Sequence, residues 1–132
     1  MCIRDRSRRE DRESCLAILY EADMTGDPIT EVMERNHVDE DEYGTVIVAG
    51  VNENLGEIDA LIDGVAEDWT VSRMGGIDRS ILRMGVWELK HSPEVPTTAV
   101  VSEAVALAED YSTEKSAPFI NGILVKLAST ER

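Results

Sequence analysis

Several residue types are scarce in this chain of 132 residues, and each scarcity excludes a class of protein. With two Trp, three Tyr and one Phe, aliphatic side chains must dominate the core. No apolar run approaches the length that spans a bilayer, and charged residues stand where a signal peptide would have its apolar segment. The two cysteines, Cys2 and Cys15, have the spacing of neither a zinc site nor a disulfide framework, which indicates a reducing compartment. We therefore expect a cytoplasmic protein without a membrane segment.

Motifs of enzyme chemistry are also absent. The sequence contains neither the G-x-x-x-x-G-K-[ST] phosphate loop nor the G-x-G-x-x-G dinucleotide motif. The two histidines, His37 and His91, are isolated in predicted loops without the spacing of metal ligands, and the Ser and Cys residues lack a neighbouring base. We therefore expect no catalytic activity, no metal and no cofactor.

Positive charge is scarce, but it is concentrated at one end. The chain has 27 acidic and 13 basic residues, a net charge of -14, which opposes non-specific binding to nucleic acid or to anionic membranes. Residues 1–6 are interpreted as a translated sequencing-adapter remnant, so their arginines are set aside. Arg8, Arg9 and Arg12 remain at the start of the first predicted helix, where cations oppose the helix dipole. They indicate either a local anion-binding surface or a frayed, solvated helix end.

The segment 77–90 is the best-defined helix of the sequence. Its apolar residues cover about half of the helix circumference, too broad an arc for a helix that lies on one surface. We therefore predict a central helix packed on two sides, with Asp78 as its N-cap after Gly75. Glu88 lies among the apolar positions, and because a lone buried carboxylate is costly it should reach a backbone N–H or an Arg of a neighbouring helix.

A cationic strip is predicted on the opposite face of this helix. Arg79, Arg83 and Lys90 fall within a narrow sector, flanked by Ser80 and Trp87. The favoured interpretation is a solvated face whose charges pair with neighbouring acids, and the alternative is a docking surface for a partner.

Helical periodicity extends over most of the remaining chain. Further helices are predicted from Arg8, over about 28–36, within 43–69 as one long helix or two in series, from a residue between Thr97 and Ser102, and from about Ser116. With 42% apolar residues, the chain can bury one sizeable core. The predicted fold is all-α, with six to seven helices in two small bundles packed together. Residues 7–132 would form a single domain with helical halves of roughly 7–72 and 73–132.

Several segments, taken in order, resemble a known family. They are Arg8-Arg9, Arg12-Glu13, Leu19-Tyr20-Glu21, residues 77–83, Trp87-Glu88-Leu89, Val95-Pro96, and residues 102–105 and 119–124. Their order and spacing resemble the NusB family of transcription antitermination factors over nearly all of residues 8–128. The Trp87-Glu88-Leu89 variant and the Ser112-Thr113-Glu114 joint are most similar to the actinobacterial branch.

The resemblance implies an RNA-binding function on an all-helical scaffold without catalysis. Family members pair with the small-subunit ribosomal protein NusE and bind the boxA element of nascent ribosomal RNA leaders. They act within the antitermination complex of Nus factors and RNA polymerase and support rRNA transcription and processing. The implied RNA-binding residues are Arg8, Arg9, Arg12, Tyr20, Tyr111, Lys115, Ser116 and Phe119. The implied partner-binding residues are Asp78, Arg79, Arg83 and Trp87.

Other interpretations stay open at this point. From the pattern alone, Phe119 is favoured as a core anchor, with base stacking as the alternative. The chain could be a helical protein-interaction module without useful RNA affinity, or the RNA-targeting domain of a cytosine methyltransferase. The lack of a catalytic domain before Arg132 argues against the latter. A homodimer that buries the same helices is an alternative to a monomer.

Overall fold

The computed structural model of the chain describes residues 8–38, 42–67 and 69–132. In these ranges the chain forms seven α-helices and no β-strand, which confirms the predicted all-α class. The helices are α1 (Arg8–Thr25), α2 (Ile29–Arg35), α3 (Tyr43–Glu53), α4 (Leu55–Val65), α5 (Gly76–His91), α6 (Thr97–Tyr111) and α7 (Ser116–Glu131). None of these helices combines the length and the apolar character that crossing a bilayer requires. The remnant proposed at residues 1–6, Cys2 and the acids at 39–41 lie outside the described residues.

Helix α5 connects two groups of helices. The helices α1, α2 and α3 contact one another, α6 and α7 contact each other, and α5 contacts both groups. Ile81, Leu82 and Val86 of α5 are completely buried. The prediction of a central helix packed on two sides is therefore confirmed. The buried apolar side chains of both groups form one continuous core, and the division of the domain near residue 72 stays a prediction.

The start of α5 differs from the prediction. The N-cap position is Gly75, in extended backbone conformation with φ -62° and ψ 150°, so Asp78 lies in the first helical turn and does not cap the helix. Its carboxylate instead accepts hydrogen bonds from the hydroxyls of Ser112 at 2.6 Å and Ser116 at 2.9 Å. Asp78 thus holds the start of α5 against the start of α7. Its negative charge also interacts favourably with the positive, N-terminal end of the helix dipole.

The long apolar series predicted within 43–69 forms two helices in series. They meet at Asn54, whose side-chain amide donates to the carbonyl of Gly50 at 2.8 Å. The second helix ends at Val65, so Trp69 lies beyond it and is 52% exposed. A short 3₁₀ turn follows at Val71–Arg73 and leads into α5. The apolar periodicity therefore predicted a longer helix than the structure has in this segment.

Arg132 closes the other end of α5. Its guanidinium donates to the carbonyls of Leu89 at 2.9 Å, Ser92 at 2.9 Å and Val95 at 2.7 Å, and more weakly to that of Glu88 at 3.2 Å. The last carbonyls of a helix have no partner within the helix, and a cation there also interacts favourably with the negative, C-terminal end of the helix dipole. Arg132 therefore satisfies the C-terminal turn of the central helix.

Two glycines of α3 permit unusually close packing. A Cβ on Gly44 would collide with the backbone carbonyl oxygen of Asp11 in α1, and a Cβ on Gly50 would overlap the indole of Trp87 in α5. Helix α3 therefore lies directly against α1 at its start and against α5 further along. Glycine here permits contact between backbone and neighbour that a larger residue would prevent.

We predict that Gly44→Ala and Gly50→Ala each lower the free energy of unfolding by about 1–3 kcal/mol, because the added methyl group must displace backbone or a packed indole. Gly122→Ala is the matched control, since Gly122 lies inside α7 with nothing within 4 Å of an added Cβ. The control should raise the free energy of unfolding by up to about 1 kcal/mol, owing to the better helix propensity of Ala. Urea unfolding measures all three, and equal effects would contradict the proposed close packing.

Candidate nucleic-acid interface

Arg12 is part of the core. Its side chain is 6% exposed, and its guanidinium donates two hydrogen bonds to the Glu88 carboxylate, at 2.9 Å from Nε and at 2.7 Å from Nη2. Glu88 is 2% exposed, so each charge satisfies the other in a desolvated setting. The expectation that Glu88 reaches an Arg of a neighbouring helix is confirmed. Arg12, in contrast to the sequence-based interpretation, has no free guanidinium to offer a phosphate.

Tyr43 of α3 joins this pair. Its hydroxyl donates to Glu88 at 2.7 Å and lies 3.0 Å from the Ser92 hydroxyl. Burial, together with the neighbouring Glu88 carboxylate, raises the pKa of Tyr43 to about 12, although the bond to Ser92 acts in the opposite direction. Burial and the same carboxylate raise the pKa of the nearby Cys15 thiol well above its ordinary value. Cys15 is therefore a core residue without thiolate reactivity.

The other two N-terminal arginines lie at the surface. The Arg8 guanidinium carbon is 3.7 Å from the centre of the Tyr43 ring, a cation–π contact. Arg9 is half exposed and pairs with Glu103 of α6 at 3.3 Å. An exposed ion pair of this kind contributes at most about 1 kcal/mol, so a ligand can displace it at little cost.

Two tyrosines lie beside α1 or within it: Tyr111 of α6 and Tyr20 of α1. The hydroxyl of Tyr111, at the end of α6, donates to Glu13 at 3.1 Å, and this bond raises the pKa of Tyr111. The Tyr111 ring is half exposed. Tyr20 is half-buried, and its ring lies 3.0 Å from the position of a Cβ on Gly76 at the start of α5. One side of α1 therefore has two aromatic residues near it: Tyr111 where α1 faces α6, and Tyr20 where α1 faces the start of α5.

Lys115, Ser116 and Phe119 line a surface groove of about 370 Å³ between the starts of α5 and α7. We call it the α5–α7 groove, and its other lining residues are Trp69, Arg73, Met74, Gly75, Asp78 and Thr113. Lys115 is exposed and Phe119 is half-buried. Ser116 is buried and donates to Asp78, so its hydroxyl shapes the wall of the groove. The structure thus brings three of the eight RNA-binding candidates into one concave site.

Trp69 and Arg73 are the aromatic and the charged residue of the groove that the sequence pattern did not assign to a site. Trp69 was counted in the apolar stripe of a helix, and Arg73 had no assigned role. Both are exposed in the segment that leads into α5. The available signal was a Trp and an Arg four residues apart near the predicted boundary between the two helical halves, where an apolar residue no longer has to face the core.

The cationic strip of α5 is paired internally. The pairs are Arg79 with Asp23 at 2.8 Å, Arg83 with Asp59 at 2.9 Å, and Lys90 with Glu57 at 3.1 Å and Glu131 at 3.2 Å. Arg79 also donates to the carbonyl of Val71 at 2.7 Å. The favoured interpretation, a strip that pairs with neighbouring acids, agrees with these contacts. A partner that binds here would meet charges already neutralised within the fold.

Trp87 and Ser80 do not flank a solvated face. Trp87 is 8% exposed because Gly50 lets α3 cover its indole, and its ring stacks on His91 with centroids 5.5 Å apart. Ser80 is completely buried. The placement of both residues beside the exposed strip was wrong. His91, predicted in a connector, is the last residue of α5.

The described part of the chain contains no group of three or more His, Cys, Asp or Glu side chains that could hold a metal ion. The polar clusters instead consist of ion pairs and hydroxyl–carboxylate bonds. What the surface offers to a ligand is a small set of cations and aromatic rings.

We predict that Arg12→Ala lowers the free energy of unfolding by about 3–5 kcal/mol, because it leaves the Glu88 carboxylate buried without its partner. Arg9→Ala, the matched control at an exposed pair, should cost less than about 1 kcal/mol. The double variant Arg12→Met/Glu88→Met should be more stable than Arg12→Ala, since it removes both charges. Urea unfolding tests this, and equal costs at Arg9 and Arg12 would contradict the structural role of Arg12.

A second prediction concerns alkaline pH. Since the pKa of Tyr43 rises from 10.0 to about 12 on folding, the folded state holds this proton more tightly than the unfolded chain. The resulting stabilisation is complete below pH 10 and is lost as the pH rises from 10 towards 12. The difference in free energy of unfolding between the native chain and Tyr43→Phe should therefore shrink across this window. A difference that stays constant through it would contradict the buried hydrogen bond.

Comparison with known proteins agrees with the resemblance. Residues 9–129 match the NusB family. The chain is 38% identical over 125 residues to the transcription antitermination protein NusB of Thermobifida fusca, covering 92% of this chain and 88% of that protein. The similar curated relatives are mostly actinobacterial, as the sequence variants indicated.

Solved structures give the same result. The fold matches T. maritima NusB with a TM-score of 0.85 and 30% identity, covering 93% of this chain and 91% of that one. It also matches a chain in the crystal structure of antitermination factors NusB and NusE in complex with dsRNA. There the TM-score is 0.79 at 27% identity, and the match covers 96% of this chain and 99% of that chain. Sequence and fold together establish that the chain belongs to the NusB family of transcription antitermination proteins.

Proposed function

We propose that this chain is an RNA-binding antitermination factor that binds boxA-type RNA of ribosomal RNA leaders together with ribosomal protein NusE. In this role it supports rRNA transcription and processing within the complex of Nus factors and RNA polymerase. The main support is its match, over 96% of its length, to a chain in a structure of NusB and NusE with dsRNA. The role needs neither catalysis nor a cofactor, and it locates the protein in the cytoplasm with nascent transcripts.

The exposed members of the candidate set suit single-stranded RNA. Such RNA is recognised through bases that stack on aromatic side chains and phosphates that meet cations. Arg8 and Arg9 supply cations at the start of α1, and Lys115 with Phe119 supplies a cation and a ring at the start of α7. Tyr111 supplies a half-exposed ring at the end of α6. We propose direct RNA contact for these residues.

Arg12 and Ser116 have a different proposed role. Both are buried and hydrogen-bonded, Arg12 to Glu88 and Ser116 to Asp78. We propose that they position the RNA-binding elements. Arg12 holds the start of α1 on α5, and Ser116 holds the start of α7 beside the groove.

The proposed contact with NusE is favoured by the overall acidity of the chain. The chain has a net charge of -14, which complements a basic ribosomal protein and speeds its encounter. Of the four partner-binding candidates, Arg79 and Arg83 remain candidates for contact. Trp87 is buried and Asp78 is bound by two Ser hydroxyls, so we propose that they only position α5. Because Arg79 and Arg83 are already paired with acids, we propose that they give the partner a preorganised surface of balanced charge.

The test is binding of a fluorescently labelled, boxA-type single-stranded RNA, with and without NusE, at low and at physiological salt. We expect tighter binding with NusE and weaker binding at higher salt, because bound cations release counterions from the RNA. Phe119→Ala should weaken binding about 5- to 100-fold through lost stacking. Lys115→Ala should weaken it several-fold and reduce the salt slope by about 1. A repeat with residues 7–132 tests whether the arginines within 1–6 contribute.

The matched control for Lys115→Ala is Lys126→Ala, on the same helix. Lys126 is exposed and pairs with Glu67 at 3.1 Å, outside the candidate surface. Its removal should leave RNA affinity unchanged, and circular dichroism should confirm that all variants remain folded. A stable pair with NusE that gains no RNA affinity would instead support the protein-interaction module. Sedimentation of the chain alone would show whether it forms a homodimer.

A further inference from the structure

The lining of the α5–α7 groove has a net positive charge, which is unusual in this acidic protein. Most described cations have an acid or another partner: Arg9, Arg12, Arg35, Arg79, Arg83, Lys90 and Lys126 form ion pairs, Arg8 lies on Tyr43, and Arg132 binds carbonyls. Arg73 and Lys115 are the two cations of the described ranges whose side chains have none of these contacts. Both line the groove. In a chain of net charge -14, the groove therefore has a net positive lining, since Asp78 is its one acid.

The groove also holds two aromatic rings. Trp69 is 52% exposed on the side of the 3₁₀ turn, and Phe119 lies on the side of α7. The other tryptophan, Trp87, is 8% exposed, so the chain does bury such a ring where the packing allows. An exposed indole beside an unpaired Arg is a favourable surface for a flat, negatively charged ligand, because the ring stacks and the cation binds the charge.

We propose that the α5–α7 groove holds one unstacked nucleotide of the RNA. Trp69 stacks on its base from the wall opposite Phe119, and Arg73 binds an adjacent phosphate. This inference rests on the proposed function and extends it to a second wall of the site, formed by the segment before α5. The volume of about 370 Å³ lies near the lower end of small-ligand sites, about 300–1,000 Å³, which suits a single nucleotide.

A basic protein partner fits this groove less well than RNA does. Arg73 and Lys115 would repel its positive charges, and the Asp78 carboxylate is already occupied by the hydroxyls of Ser112 and Ser116. The acidic surface outside the groove is the better match for such a partner. The charges therefore favour RNA as the occupant.

The experiment measures binding of a boxA-type single-stranded RNA and of NusE by the full chain and its variants. Trp69→Ala should weaken RNA binding about 5- to 100-fold, and Trp69→Phe, which keeps a ring, should restore most of the affinity. Arg73→Gln should weaken binding several-fold and reduce the salt slope by about 1. Bound RNA should also quench the fluorescence of Trp69, measured as the difference between the native chain and Trp69→Phe. NusE affinity should not change.

Matched controls separate the groove from general surface effects. Arg35→Gln alters an exposed Arg that pairs with Glu21 and Asp27, and Val125→Ala alters a half-exposed apolar residue of α7. Both should bind RNA like the native chain. If Lys115→Ala and Phe119→Ala weaken RNA binding but Trp69→Ala and Arg73→Gln do not, the groove proposal is overturned and the proposed function stands. Loss of NusE affinity alone in the Trp69 and Arg73 variants would make the groove a protein-docking site, and absence of RNA binding by the native chain would overturn both proposals.

Discussion

The buried ion pair between Arg12 and Glu88 is the interaction on which the arrangement of helices depends. It joins α1 to α5 at 2.7 Å, and the Tyr43 hydroxyl brings α3 to the same carboxylate. Removing two charges from water is costly, and only the bidentate geometry with further hydrogen bonds compensates for it. The three helices must therefore pack in one relative position, the one that brings these three side chains together. This packing also positions Arg8 and Arg9, which precede Arg12 by about one helical turn.

The scarcity of cations also explains where a ligand can bind. The chain has 13 basic residues against 27 acidic ones, and most cations in the described ranges form ion pairs with acids. Pairs such as Arg79 with Asp23 connect α5 to α1 and contribute to the fold. The cations that remain available are few and lie near the starts of α1 and α7 and in the segment before α5. An acidic protein can thus bind RNA locally while its remaining surface attracts a basic partner.

Local patterns predicted the elements well and the site less well. Amphipathic periodicity located the helices, including the start of α7 at Ser116, because apolar spacing depends only on neighbouring residues. It failed for Trp69, which continues the stripe but lies beyond the end of α4. It also failed for Trp87, because the approach of α3 depends on Gly50, 37 positions earlier in the chain. Asp78 was assigned as a cap since its hydroxyl partners, Ser112 and Ser116, lie in a distant segment.

The sequence by itself determined the all-helical class, the central position of α5 and the membership of the NusB family, since periodicity and the order of motifs are properties of the chain. Only the tertiary structure decided which cations are buried and which are free. Arg12 and Arg9 look equivalent in sequence, yet Arg12 meets Glu88, 76 residues away, in the core, while Arg9 meets Glu103 at the surface. The physical reason is that the state of a charge depends on its solvation and on a partner that folding supplies.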